Sequence, residues 1–276
     1  MNTHEPVKCT SPDSVLKAAL DGAFGADTAQ TYVTGSFWVT QTTKFPGTDH
    51  RYYNRYLVMR IENGFGGCCL EEGQILPQDA EELSGARVSD LLVNPNRAVR
   101  FACLDAFLGA VSPVSAVRGA TQKSLPAGTP IQRAETRDRL IAGLVKVSPG
   151  QKVGLIGVVN PLVDAIEARG AICLPCDFNM ERTANGLPVT SDMGPLLAET
   201  DFVITTGMTL TNGSIEEIIA SCRDRSIPLV VYSQTGSHVF GSLANTGQIS
   251  GLVAETFPYS QFTSQKSSLH ILDNVI

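Results

Sequence analysis

Side chains able to grip a ligand crowd into one stretch of the chain, Asp201-Phe-Val-Ile-Thr-Thr-Gly-Met-Thr-Leu-Thr-Asn-Gly-Ser-Ile-Glu-Glu-Ile-Ile219. Thr206, Gly207, Thr209 and Asn212 lie where an apolar, β-branched run, Phe202 to Thr206, gives way to hydroxyls, an amide and turn formers. From Ile215 the period changes, and Ile215, Ile218, Ile219 and Cys222 fall on one helical face. The chain therefore leaves a buried strand through a polar loop and enters a helix. Ligands of open α/β sheets sit at such strand ends. Hydroxyls and an amide at a helix start suit a carboxylate or a hydroxyl-rich ligand. Glu216 and Glu217 already complement the helix dipole and would repel phosphate, which favours a zwitterionic or weakly anionic ligand over a polyphosphate. Ser214 with Glu217 also fits a plain capping box, the structural reading of the same residues. Gly207 suits a positive φ or the close approach of a ligand to the backbone.

Other candidates are scattered. Asp177 ends a strand 20 residues after Gly157. There it either holds a ribose diol or caps the turn at Asn179. Gly154-Leu-Ile-Gly157-Val-Val-Asn160-Pro161 is neither a dinucleotide fingerprint nor a Walker loop, and Pro161 stands where a phosphate would need a glycine. A tight turn with a modest ligand contact at Asn160 is the reading there. His238 follows Ser233-Gln234-Thr-Gly-Ser237, a loop expected beside 207–213. Ser233 and Gln234 are assigned to the ligand, and His238 is the candidate base, with a helix-capping role as its alternative. Cys173-Leu-Pro-Cys176 lies on an expected strand, where residues three apart face opposite sides. The pair is read as core, no second such motif supplies zinc ligands, and no metal site is assigned. His4, His50 and His270 have no supporting neighbours.

These residues need elements to position them. With 276 residues, 43% apolar and 17% charged, the chain is long enough for two domains of an ordinary globule. A net charge of −6 without a basic run argues against nucleic acid or anionic membrane as partner. No apolar run approaches ~20 residues, so no membrane span is expected. The first residues lack a signal-peptide core, and seven cysteines without framework spacing read as reduced thiols of a cytoplasmic protein.

Residues 1–111 read as a small α+β domain. It has a helix over 12–21, strands over 31–43, 51–61 and 68–70, a Pro-Gly turn within 44–50, and helices over 83–92 and 96–111. Residues 112–150 read as a linker up to 133 followed by a connecting helix from Glu135. Residues 151–256 alternate strand and helix, with strands over 152–158, 171–178, 202–206, 228–233 and 249–256. That pattern predicts an α/β fold with a Rossmann-like, five-stranded parallel sheet. Residues 257–276 are left as a tail.

The segment 199–219, ETDFVITTGMTLTNGSIEEII, resembles the signature of the putative heavy-metal chelation family, in which a strand ending in Thr-Gly leads to Thr-Leu-x-Asn-Gly-Thr and a helix. Residues 35–39 and 83–110 are similar to that family's companion domain, which implies an enolase-N-terminal-like fold for the first part of the chain. The resemblance implies a Rossmann-like second domain with a cleft against the first. It carries over to Thr206, Gly207, Thr209, Leu210, Asn212 and Gly213. Ser214 departs from the usual Thr, and Ser-Gln-Thr-Gly-Ser-His (233–238) replaces a Gly-Pro-Ser-type loop.

The leading expectation is a small-molecule enzyme of transferase or lyase/cyclase type. It would bind S-adenosylmethionine or a related adenosyl compound among Asp177, the 206–212 loop and the 233–238 loop. A metal or metal-chelate carrier and a non-catalytic assembly protein are the alternatives, and a homodimer is the candidate assembly.

Overall fold

The computed structural model describes residues 7–44 and 51–274. The turn expected within 44–50 lies outside the described residues from 45 on, as do His4 and His50. Helix α1 (Pro12–Leu20) starts at Ser11, whose side chain accepts from the Ser14 amide. Strands β1 (Gly35–Lys44), β2 (Arg51–Ile61) and β3 (Gly64–Leu70) form an antiparallel sheet in that order. β3 is longer than the expected 68–70 because its glycines belong to the strand. A Cβ on Gly66 would land in the Ala106 backbone, and one on Gly64 in that of Ala110. Glycine lets a helix backbone lie directly on the sheet. That helix is α4 (Arg97–Val111), within the expected 96–111, and the Asn96 side chain caps it by accepting from the Ala98 amide. The single helix expected over 83–92 is instead α2 (Pro77–Glu81) and α3 (Val88–Leu92). Gly85, at φ +87°, takes a left-handed conformation between them.

A larger sheet follows. Its elements are β4 (Thr121–Leu125), α5 (Pro130–Leu144), β5 (Lys152–Ile156), α6 (Asn160–Glu167), β6 (Ile172–Cys176) and α7 (Met193–Glu199). They continue with β7 (Phe202–Thr206), α8 (Met208–Asn212), α9 (Ile215–Arg225), β8 (Leu229–Ser233), α10 (Ser237–Asn245), β9 (Gly251–Ala254) and β10 (Ser267–Asp273). The strand order is β4-β10-β9-β8-β7-β5-β6. The α/β class holds, but the sheet is mixed and has seven strands, where five parallel ones were expected. The five expected strands pair in parallel, β10 adds antiparallel to β9, and β4 adds antiparallel to β10. The segment read as linker and the tail each supply one of these strands. β4 shows no apolar pattern because four of its five residues are exposed at the sheet edge.

One face of the large sheet shares a continuous core with the small sheet through α4 and α10. The other face is covered by α5 and α6. Cys173 and Cys176 belong to these two different cores, on opposite faces, and burial pushes their thiols up to about 12 and about 11. All seven cysteines are buried and unbridged.

The contact between β3 and α4 has a direct test. Gly66→Ala forces a methyl into helix backbone that cannot yield as a side chain would. Overpacking of this kind costs about 1–3 kcal/mol, and more against backbone. Urea unfolding should show a midpoint well below wild type, and an unchanged midpoint would contradict the packing.

Candidate functional site

Counting only the parallel strands, the order is 2-1-3-4-5. Such sheets open a crevice between strands 1 and 3, where successive connections depart to opposite sides. Here those strands are β5 and β7, and their carboxyl ends lead into Gly157 and Thr206-Gly207. A cleft of about 280 Å³ lies at this point. Its far wall comes from the small sheet, with Thr43, Tyr52 and Tyr56, and from α5, with Arg133 and Arg137. A small annex of about 40 Å³ continues past Thr206, Met208 and Asp177 toward Asn212 and Ser214.

The organising stretch is more helical than its composition suggested. Residues 208–212 form α8, one turn of helix rather than a loop. Thr209 Oγ1 donates to the Thr206 carbonyl at 2.8 Å, a local bond that spends this hydroxyl on the chain's own backbone. Gly213, at φ +85°, ends the turn. Asn212 Oδ1 then accepts from both the amide and the hydroxyl of Ser214, at 3.0 and 2.8 Å. Ser214 itself is helical and makes no side-chain cap, so the capping box with Glu217 is not formed. Glu216 pairs with Arg97 Nη2 at 2.6 Å, and Arg97 Nε donates to the Leu210 carbonyl. Gly207 has φ −59°, so of the two reasons considered for a glycine here the positive φ does not hold. Its lack of a side chain is required by close approach instead, because a Cβ would land on the Thr235 carbonyl oxygen. Thr206 Oγ1 is buried without a protein partner.

Asp177, Thr206, Gly207 and Gln234 line the main cleft, and Thr209 and Asn212 line the annex. Asp177 accepts from the amides of Val158 and Asn179, at 2.9 and 2.8 Å, so its carboxylate ties the first two strand ends together while facing the cleft. Asn160, Ser233 and His238 line neither space. Asn160 donates to Tyr52 Oη at 2.9 Å and accepts from the Ala184 amide at 2.7 Å, which fastens the small sheet to the loop after β6. Ser233 is fully buried and donates to the Thr235 carbonyl.

His238, expected beside the 207–213 segment, lies buried between α10 and α4. Its Nδ1 accepts from the Val114 amide at 3.0 Å, and its Nε2 faces Gly109 and the Phe65 carbonyl. Both ring nitrogens are engaged by protein, which leaves no edge for a cleft-bound molecule. Its own amide donates to Asp105 Oδ1 at 2.8 Å. Asp105 is a buried carboxylate on α4 that also accepts from Gly67 and Gly236, at 2.9 and 3.2 Å. It therefore fills the positive amino end of α10 with the protein's own anion.

Several cleft residues carried no motif. Arg137 Nε donates to Asp138 at 2.7 Å, and its guanidinium lies over the Tyr232 ring, 4.8 Å from the centroid. Tyr232 in turn donates to Glu255 Oε2 at 3.0 Å, and Gln234 donates to the same oxygen at 2.8 Å. Gln261 extends this network to Tyr56. Arg133 is spent on structure, with donors to the carbonyls of Pro126 and Gln265 and to Ser267 Oγ. The signal for these two arginines was their i, i+4 spacing on a helix that begins at Pro130, five residues before the expected start at Glu135. Among the described residues no three His, Cys, Asp or Glu side chains converge on a point that could hold a metal ion. No described helix is long and apolar enough to cross a membrane.

Two substitutions test the buried pair. Asp105→Asn leaves backbone amides unsatisfied, at about 1–3 kcal/mol each, so the protein should be roughly 2–5 kcal/mol less stable in denaturant. An unchanged midpoint would contradict the anchoring role. Burial pushes the His238 imidazole below its ordinary 6.5, against the pull of Asp105. The unfolded chain then binds a proton that the folded chain refuses. The contribution is fully present above pH 6.5 and is lost as pH falls below it. His238→Asn, which keeps an acceptor for Val114, should flatten that loss. An equal slope in both proteins would contradict the assignment.

Residues 140–232 match the model of the family described as putative heavy-metal chelation (DUF364). A protein of unknown function from this family in Desulfitobacterium hafniense superposes with a TM-score of 0.57 at 14% identity, covering 87% of each chain. A second, from Pyrococcus horikoshii, gives 0.52 at 12% identity, covering 87% of this chain and 86% of its own. At such identities the likeness is one of fold. No curated protein matches the sequence. The resemblance read from the Thr-Gly strand end thus holds over residues 140–232, which match the putative heavy-metal chelation family.

Proposed function

We propose that this chain binds a small, zwitterionic organic molecule in the cleft at the β5–β7 switch point, and that an adenosyl compound such as S-adenosylmethionine is the ligand class. One observation carries the reading. The cleft joins Asp177, at the end of the second parallel strand, to Thr206, whose hydroxyl oxygen is buried without a protein partner. A carboxylate in this position of a doubly wound sheet is placed to receive a ribose diol, and Asp177 retains lone pairs beyond its two backbone bonds. The mixture of hydroxyls, amides and tyrosine rings around it suits a polar molecule with a planar part. The protein acts on such a ligand as an enzyme or hands it on as a binding protein.

A second reading follows from the family match. Because no donor cluster for a bare ion is formed among the described residues, a metal would enter already wrapped in an organic chelator. The cleft is then the chelate's site, and the protein contacts the organic shell.

Calorimetric titration separates the two. S-adenosylmethionine should bind the wild-type protein. Asp177→Asn and Thr206→Val should each weaken it by about tenfold or more, the scale of a hydrogen bond to a charged or buried group. Absence of binding for every adenosyl compound tried would remove the first reading. Elemental analysis of untagged protein tests the second. A stoichiometric metal lost on Cys173→Val or Cys176→Ala would contradict both, since it would require the two core thiols to converge.

A further inference from the structure

We infer that Arg137 is an oxyanion-reading residue of the cleft, matched to a ligand carboxylate, an inference that rests on the cleft being the ligand site. Its guanidinium is held on two sides. The Nε edge bonds Asp138, and one face lies on Tyr232. Both supports are themselves fixed. Asp138 is fully buried, and the Tyr232 hydroxyl is bonded to Glu255, which also accepts from the Ser260 amide. The Nη1 and Nη2 groups donate to no protein acceptor among the described residues. The side chain is 11% exposed and lines the cleft.

A structural role accounts poorly for this arrangement. A buried ion pair gains little over apolar packing, and it leaves Asp138 Oδ2 without a partner. Arg133, one turn earlier on α5, shows the contrast, because both its Nη groups are used up on carbonyls and a hydroxyl. An arginine locked by its Nε edge and one face presents a planar pair of donors, the geometry that accepts a carboxylate in bidentate fashion. Asp138 bonds its Nε edge, and Glu255 accepts from the hydroxyl of the ring on which it lies, so two carboxylates near it offset part of its charge. That balance suits a monoanion better than a dianionic phosphate. Asp177, on the opposite wall, then faces the ligand's cationic or hydroxyl-bearing part.

The test uses matched fragments, so that it does not depend on adenosyl chemistry. Benzoate, benzamide and inorganic phosphate are titrated by ligand-observed NMR against the full chain. The comparison proteins are the double variant Arg137→Gln/Asp138→Asn, which leaves no unpaired buried charge, and Ala134→Phe, which fills the cleft beside Arg137. Thermal melts check that each variant folds. Benzoate should bind wild type at least about tenfold tighter than benzamide, and phosphate no tighter than benzoate. The double variant should lose the preference. Equal binding of acid and amide, no binding of either, preference for phosphate, or a preference that survives in the double variant would each overturn the assignment. Equal binding abolished by Ala134→Phe would remove Arg137 and leave the cleft standing. Benzoate binding unaffected by Ala134→Phe would remove the cleft reading itself.

Discussion

The structure depends on one buried carboxylate. Asp105 leaves α4 and is received by the amides of Gly67, Gly236 and His238. Through it the small sheet, the long helix beneath it and the amino end of α10 become one body. A carboxylate fully removed from water needs several donors to stay tolerable, and here backbone supplies them. The Gly236 amide also reaches the Gly67 carbonyl at 3.0 Å, so the same point joins β3 directly to the turn after β8. With that junction closed, the carboxyl ends of β5 and β7 face the small sheet across a narrow gap, and the gap is the cleft.

The same junction explains why the cleft chemistry sits where it does. Helix amino ends attract anions, and α10 would be an anion site if it were open. Asp105 closes it from within. What remains for a ligand is the region between Asp177 and Thr206 on one wall and Arg137 on the other. Arg97 performs a parallel service between α8 and α9, where it pairs Glu216 and the Leu210 carbonyl. The polar residues around α8 thus divide into those that close helix ends and those left facing open space.

Much of the fold was legible because its signals are local. The run Phe202 to Thr206 is bounded by a charge before and a glycine after, and the strand has those limits. Asn96 and Ser11 are cap residues, and both cap. The two strands that were missed lack local signals. β4 is an exposed edge, and β10 exists because β9 offers it hydrogen bonds. Gly207 was singled out correctly, but its reason, the Thr235 carbonyl, lies across a different loop. His238 shows the limit most clearly. A histidine after a strand-end loop has the same local appearance whether it opens toward a cleft or turns under a helix. The difference is made by Asp105, Gly109 and Val114, all more than a hundred positions away in sequence. Arg137 was missed for the same reason. Its i, i+4 spacing from Arg133 marks only a shared helix face, and the environment that singles it out is assembled from α5, β8 and the segment after β9.

A small organic ligand at the β5–β7 switch point is what the cleft's uncommitted polar groups call for. Crystals of the untagged protein, grown with S-adenosylmethionine and separately with benzoate, test it most directly. Ligand density is expected in contact with Asp177 and Thr206, with an oxyanion against the Nη groups of Arg137. Density at another surface, with the cleft holding only solvent under saturating ligand, would contradict it.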